Sequence, residues 1–257
     1  MNTTVKLGDR DITRVGLGTN RLTHTRANVD FIKAAIEAGV QMIDSAHLYT
    51  GGDSEKTIGE ATSGMPGGCL IATKGGFGGA GRGKPEVLRA EIEQSLRSLH
   101  TDVIELYYLH RVDPETPLED SLAEIKAHRD AGKIRLVGVS EVTIEQIERA
   151  RKVLPIAAVQ NRYNIAERGN DEVIDYCTQE GIVFVPFFPL RAEVSAVIRE
   201  LAGRHKVTPQ QVMLAWLLHR SPTMLPIPGT LSLEHLRDNL NASKVELSEA
   251  EFRSLES

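Results

Sequence analysis

The stretch 70–110, LIATKGGFGGAGRGKPEVLRAEIEQSLRSLHTDVIELYYLH, reads as one structural repeat. Residues 70–73 are a short apolar run and predict a buried strand. Residues 74–83 are rich in glycine and predict a loop. Residues 84–99 are amphipathic at helical spacing, with Pro85 in the first turn, where its missing N–H costs no hydrogen bond. Residues 104–109 are a second apolar run. Strand, loop, helix and strand in that order make a βαβ unit with parallel strands.

Outward from this unit the alternation continues. Strands are predicted over 14–17 and 41–43 upstream, and over 136–139, 158–160, 183–187 and 224–227 downstream. Helices are predicted over 28–38, 54–61, 117–131, 143–154, 171–180, 208–220 and 233–241, with an extra helix over 194–204. Gly39, Gly132 and Gly181 follow three of them, as C′ glycines do. Thr143 and Ser232 are placed to cap two more. Residues 5–7 and 11–13 flank Gly8-Asp9 and predict a small hairpin. Eight strands alternating with helices in 257 residues predict an α/β fold, a (β/α)8 TIM barrel, forming one domain over 1–257. The competing architecture is an open doubly wound sheet. Gly16-Leu17-Gly18 at the first strand lacks the third glycine of its phosphate-binding fingerprint.

Composition narrows the function classes. Apolar residues make up 41% and charged residues 25%, ordinary for a globular chain. The net charge of −5, with acids and bases interleaved, speaks against nucleic acid, which requires a basic stripe. No stretch approaches a membrane span, and the polar N-terminus lacks the apolar core of a signal peptide. Cys69 and Cys177 form no disulfide framework, so a cytoplasmic location is expected. The expected partner is a small molecule, and the expected state a monomer, with a homo-oligomer left open.

In such a barrel, chemistry sits where the strands end. Asp44, Lys74 and His110 follow the second, third and fourth strands, and Tyr49 lies just beyond Asp44. A carbonyl that accepts hydride needs a proton. Tyrosine is a weak acid, and a neighbouring ammonium stabilises the tyrosinate it leaves. An aspartate holds that ammonium, and a histidine orients the carbonyl oxygen. Taken singly, each residue also has an ordinary structural use, as helix cap, packing ring, loop cation or core histidine. Together at successive strand ends they point to catalysis.

The segment Met42-Ile43-Asp44-Ser45-Ala46-His47-Leu48-Tyr49, with Ala72-Thr73-Lys74 and Tyr108-Leu109-His110, resembles the aldo-keto reductase superfamily. Gly132-Lys133-Ile134-Arg135, Gly138-Val139-Ser140 and Ile227-Pro228-Gly229-Thr230 extend the resemblance along the whole chain. It implies a catalytic tetrad of Asp44, Tyr49, Lys74 and His110. It implies an NADPH (NADP+) cofactor lying across the strand ends, reducing an aldehyde or ketone. Histidine at position 110 accompanies carbonyl rather than double-bond reduction in that family. The implied cofactor contacts begin with Gly18, Thr19, Asp44 and Ile227. Ser140, Glu141 and Gln160 lie at the nicotinamide carboxamide, and Phe187, Phe188 and Leu190 beside the ring. Gly229, Thr230, Ser232, His235 and Asn239 lie toward the adenosine end.

This sequence departs from the family pattern in places. Glu141 stands for a common asparagine, Arg162 for a common glutamate, and Phe187 for the usual stacking tyrosine. Gly229 and His235 replace basic residues that grip the adenosine phosphate, which leaves NADH as an alternative cofactor. Short loops after strands four and seven imply an open pocket, with Arg21, Arg111 and Arg191 on its rim. The stretch 185–190 resembles the branch that contains pyridoxal reductases, so pyridoxal joins sugars and other carbonyls as a substrate to test. Rival readings are a non-catalytic NADPH-binding regulatory homologue, a Schiff-base aldolase using Lys74, and a metal hydrolase using Asp44, His47 and His110.

Overall fold

The computed structural model describes residues 2–64 and 68–256. Strands β1 (Thr4–Leu7) and β2 (Arg10–Thr13) form the antiparallel hairpin, pairing Thr4 with Thr13 and Leu7 with Arg10. Seven parallel strands follow, hydrogen-bonded in chain order: β3 (Leu17–Gly18), β4 (Met42–Asp44), β5 (Leu70–Gly75), β6 (Ile104–Leu109), β7 (Ile134–Ser140), β8 (Ala158–Gln160) and β9 (Val183–Phe184). Helices α1 (Arg26–Glu37), α2 (Asp53–Thr62), α3 (Pro85–Ser98), α4 (Leu118–Asp130), α5 (Ile144–Val153) and α6 (Asp171–Gln179) connect successive strands. Helices α7 (Ala196–His205) and α8 (Pro209–Arg220) precede the closing segment, and α9 (Leu233–Asn241) and α10 (Glu249–Ser254) follow it. The curled sheet with its outer helices is the (β/α)8 architecture, and the open doubly wound alternative falls.

The eighth strand differs from expectation in a way its residues explain. The segment 224–229 lies between β9 and β3. Leu225 N donates to Phe184 O, while Gly16 N and Gly18 N donate to Pro226 O and Pro228 O. Parallel bridges join Phe184 to Met224 and Gly18 to Gly229. Pro226 and Pro228 have no N–H to give back toward β3, so the segment closes the barrel with half a ladder. At Gly18 a Cβ would stand 2.7 Å from Ile227 O, and only glycine allows that closure.

The two-residue period of the strands sorts their side chains. Ile43, Tyr107, Leu109, Val137, Val139, Val159 and Phe184 face outward into the large core shared with the helices. Met42, Leu70, Ala72, Leu106, Tyr108 and Ala158 face inward and fill the barrel. Val5, Leu7 and Ile12 of the hairpin join that inner cluster and plug one end. Beside the plug lies buried Arg14, which sequence reasoning treated as part of a strand. Its Nε donates to Met224 O at 3.1 Å and its Nη2 to Leu218 O at 2.7 Å and to Ser221 O. The guanidinium thus ties the chain start to the end of α8 and the closing segment. Burial pushes its pKa down to about 10.

Helix ends follow local chemistry. Thr143 and Thr208 form capping boxes with Gln146 and Gln211, and Ser232 accepts from His235 N. Gly39 takes φ +102° after α1, a conformation that suits glycine. Helix α10 was not expected, although Ser248 and Glu251 form its capping box.

Candidate active site

Continuing the inward register upward from the inner core gives Asp44 on β4, Lys74 on β5, His110 just past β6, Ser140 on β7 and Gln160 on β8. Parallel pairing sets their heights: Asp44 lies opposite Ala72, Lys74 opposite Tyr108, and Ser140 opposite Gln160. One parity rule therefore brings five polar side chains to one end of the barrel. Tyr49 arrives differently. Ser45 N and His47 N extend the pairing past β4 by donating to Ala72 O and Lys74 O. The chain then turns at residues 49–52, where Thr50 and Gly51 adopt positive φ. Thr50 Oγ1 fastens the turn to Leu22 O at 2.6 Å.

Lys74 is fully buried. Its Nζ donates to Asp44 Oδ1 at 2.6 Å, to Ser45 O at 2.5 Å and to Tyr49 Oη at 3.5 Å. Those three acceptors satisfy the ammonium. Burial opposes its charge, but the Asp44 carboxylate and the Tyr49 oxygen outweigh burial and raise its pKa. Gln160 Nε2 donates to Asp44 Oδ2 at 2.9 Å, so both carboxylate oxygens are held. The His110 ring lies 6.1 Å from that of Tyr49, nearly perpendicular, and 4.7 Å from that of Phe77. Burial pushes the His110 pKa down to about 2, helped by the positive charges of Lys74 and Arg111. The imidazole is therefore neutral, able to donate one hydrogen bond without carrying charge.

A cleft of about 770 Å³ opens above these groups. Asp44, Tyr49, His110, Ser140 and Gln160 form its polar floor, and Lys74 lies beneath it. Phe187, Phe188, Leu190 and Ile227 supply apolar wall. A second cavity of about 440 Å³ shares Gly18, Thr19 and Gly229 with the first and continues to Thr230, Ser232 and His235 at the start of α9. Glu141 and Asn239 line neither cavity. Glu141 accepts from Arg162 N at 2.8 Å, so the two departures from the family pattern contact each other. Asn239 is buried in α9. Leu48 and Phe77 also line the larger cleft, although sequence reasoning did not single them out. The only available signal was a lone large apolar residue within a polar or glycine-rich loop.

Among the described residues, no group of three or more His, Cys, Asp or Glu side chains is placed to hold a metal ion. Nor is any described helix long and apolar enough to cross a membrane.

The model of the aldo/keto reductase family matches residues 14–194 and 189–257. An uncharacterised oxidoreductase of Schizosaccharomyces pombe is 37% identical over 272 residues, covering 98% of this chain and 89% of that one. Pyridoxine 4-dehydrogenase of Escherichia coli is 34% identical, covering 98% of this chain and 97% of the relative. Among solved structures, a thermostable aldo-keto reductase crystallised with the inhibitor epalrestat superposes with a TM-score of 0.91 at 32% identity, covering 98% of both chains. An aldo/keto reductase from Klebsiella pneumoniae, crystallised with NADP and acetate, gives 0.88 at 27% identity over 99% of this chain and 94% of that one. By fold, by strand-end residues and by similarity along its length, this chain belongs to the aldo/keto reductase family.

Proposed function

We propose that the protein uses NADPH to reduce an aldehyde or ketone to an alcohol, with Tyr49 as the proton donor. The observation that carries the reading is the chain Asp44–Lys74–Tyr49, with contacts of 2.6 and 3.5 Å, ending at a phenol on the cleft floor. The longer contact is of the kind that tightens when substrate is bound. The Klebsiella neighbours crystallised with NADP or NADPH support the choice of cofactor.

The residues fit a dinucleotide. The two cavities are neighbours that share Gly18, Thr19 and Gly229 in their linings, an arrangement that suits one extended ligand. Ser140 and Gln160 offer hydrogen-bonding groups in the same cavity that Phe187 lines, a combination that suits a flat carboxamide-bearing ring. Thr230 and Ser232 offer hydroxyls near the N-terminus of α9, where anions are favoured. When bound, the reduced nicotinamide supplies the hydride.

The chain's own residues manage the proton. Neutral His110 donates a hydrogen bond to the carbonyl oxygen and polarises it. Tyr49 passes its phenolic proton to that oxygen as negative charge develops. The Lys74 ammonium, held charged by Asp44, stabilises the tyrosinate left behind. The same charge opposes the aldolase reading, which needs a neutral lysine nucleophile. Turnover separates this function from a non-catalytic cofactor-binding role.

The test is an NADPH-oxidation screen over aldehydes, ketones, sugars and pyridoxal, repeated with NADH. The Escherichia coli relative's name is the reason to include pyridoxal. Turnover of at least one carbonyl, faster with NADPH, is expected; none with either cofactor contradicts the reading.

A further inference from the structure

The cleft carries more positive charge than a plain aldehyde requires. Arg21, Arg111 and Arg191 all line it, and among the described residues none of them makes an ion pair. Outside the cleft many arginines pair with acids, as Arg135 does with Asp9 and Glu105, Arg149 with Glu119 and Arg220 with Asp171 and Asp175, while others such as Arg14 and Arg199 donate to backbone carbonyls. The contrast is sharper because the chain as a whole is acidic, with net charge −5. Asp44, the acid on the cleft lining, is already bound to Lys74.

Of the three, Arg111 is placed to meet substrate. Arg21 and Arg191 are exposed, whereas Arg111 is half-buried and directly follows His110. Its Nη1 donates to His110 O at 2.6 Å and to Ser140 Oγ at 3.1 Å. Its guanidinium carbon lies 5.3 Å from the Phe77 ring, which itself packs on His110, and 5.8 Å from Phe187. Nε and Nη2 have no acceptor among the described residues. Glu141 acts on Arg111 through space, with its Oε1 accepting from Arg162 N, but it makes no ion pair with the guanidinium. Burial lowers the pKa of Arg111, the direction expected of a cation whose desolvation is not fully compensated.

We propose that Arg111 is a specificity-determining residue that selects carbonyl substrates bearing an oxyanion, a carboxylate or a phosphate. A guanidinium fork matches either group with paired, charge-assisted hydrogen bonds. The fixed Nη1 anchors the fork beside His110, so the anion it binds lies close to the carbonyl. The assignment rests on the carbonyl-reductase reading above.

The test uses matched substrates with NADPH in excess. One pair is meta-carboxybenzaldehyde and its methyl ester; the other is meta-formylphenyl phosphate and meta-methoxybenzaldehyde. The wild type is expected to favour the anionic member of at least one pair by roughly tenfold or more in kcat/KM, mainly through KM. The pair that shows it identifies carboxylate or phosphate. Arg111→Met should erase the preference, and Arg111→Lys, which keeps the charge but loses the fork, should retain part of it. Turnover without an anionic preference, or a preference that survives Arg111→Met, overturns the assignment of Arg111 and leaves carbonyl reduction standing. No turnover of any of the four overturns the assignment of Arg111; carbonyl reduction falls only if the broader screen above also finds no turnover.

Discussion

The two ends of the barrel interior are built on one inward register and put it to opposite uses. At the hairpin end, Leu7, Met42, Leu70 and Leu106 pack into a dry plug. At the other end the same parity presents Asp44, Ser140 and Gln160 to a cleft and sets Lys74 just beneath it. A change at the plug should cost stability through packing, and a change at the cleft should cost chemistry. Burial does not mark the division: Lys74, Asp44, Ser140 and Gln160 are all buried about as deeply as the plug, and Lys74 and Asp44 are the charged pair among them.

That pair gives the largest expected effect. Lys74→Met leaves Asp44 as an uncompensated buried carboxylate, which should cost about 3–5 kcal/mol of stability by denaturant unfolding, together with nearly all turnover. Pairing it with Asp44→Asn should recover much of the stability and none of the turnover. If the double variant regained activity, the ion pair would be structural only.

The plug gives the next effect. Leu106→Ala, inside the barrel and fully buried, should cost about 2–5 kcal/mol. Turnover per folded molecule should fall far less than in the Lys74 variant. A large loss of turnover with little loss of stability would show that the two ends are not separable.

Phe187 sharpens the comparison from the cleft side. It is only partly buried, so Phe187→Ala should barely move stability, but it should weaken NADPH binding by about 1 kcal/mol in a fluorescence titration. Unchanged affinity would remove Phe187 from the cofactor's path.

What was legible in the sequence follows the same division. Strand spacing is a local signal, and it put Asp44, Lys74 and His110 at successive strand ends; Ser140 and Gln160 came with the family resemblance, and the side chains that fill the plug were not read from the sequence. Tyr49 was legible as a weak acid just beyond Asp44, but its placement on the cleft floor was not, because that depends on the turn at residues 49–52 and on the Thr50–Leu22 contact. Arg14 was missed because the acceptors of its Nε and Nη2 lie more than two hundred residues away along the chain. The closing segment was read as a strand from its apolar residues, and Pro226 and Pro228 limit it to half a ladder. Leu48 and Phe77 sit in loops, where no periodicity marks an inward position. The cap of α10 was legible and overlooked.

The central claim is that the phenol at the cleft floor supplies the proton. Tyr49→Phe keeps the ring and removes only the hydroxyl. Measured with NADPH on whichever carbonyl the wild type turns over best, kcat should fall by at least ~10²-fold while NADPH affinity stays close to wild type. Near-normal turnover by the phenylalanine variant, across several carbonyls, would contradict the mechanism.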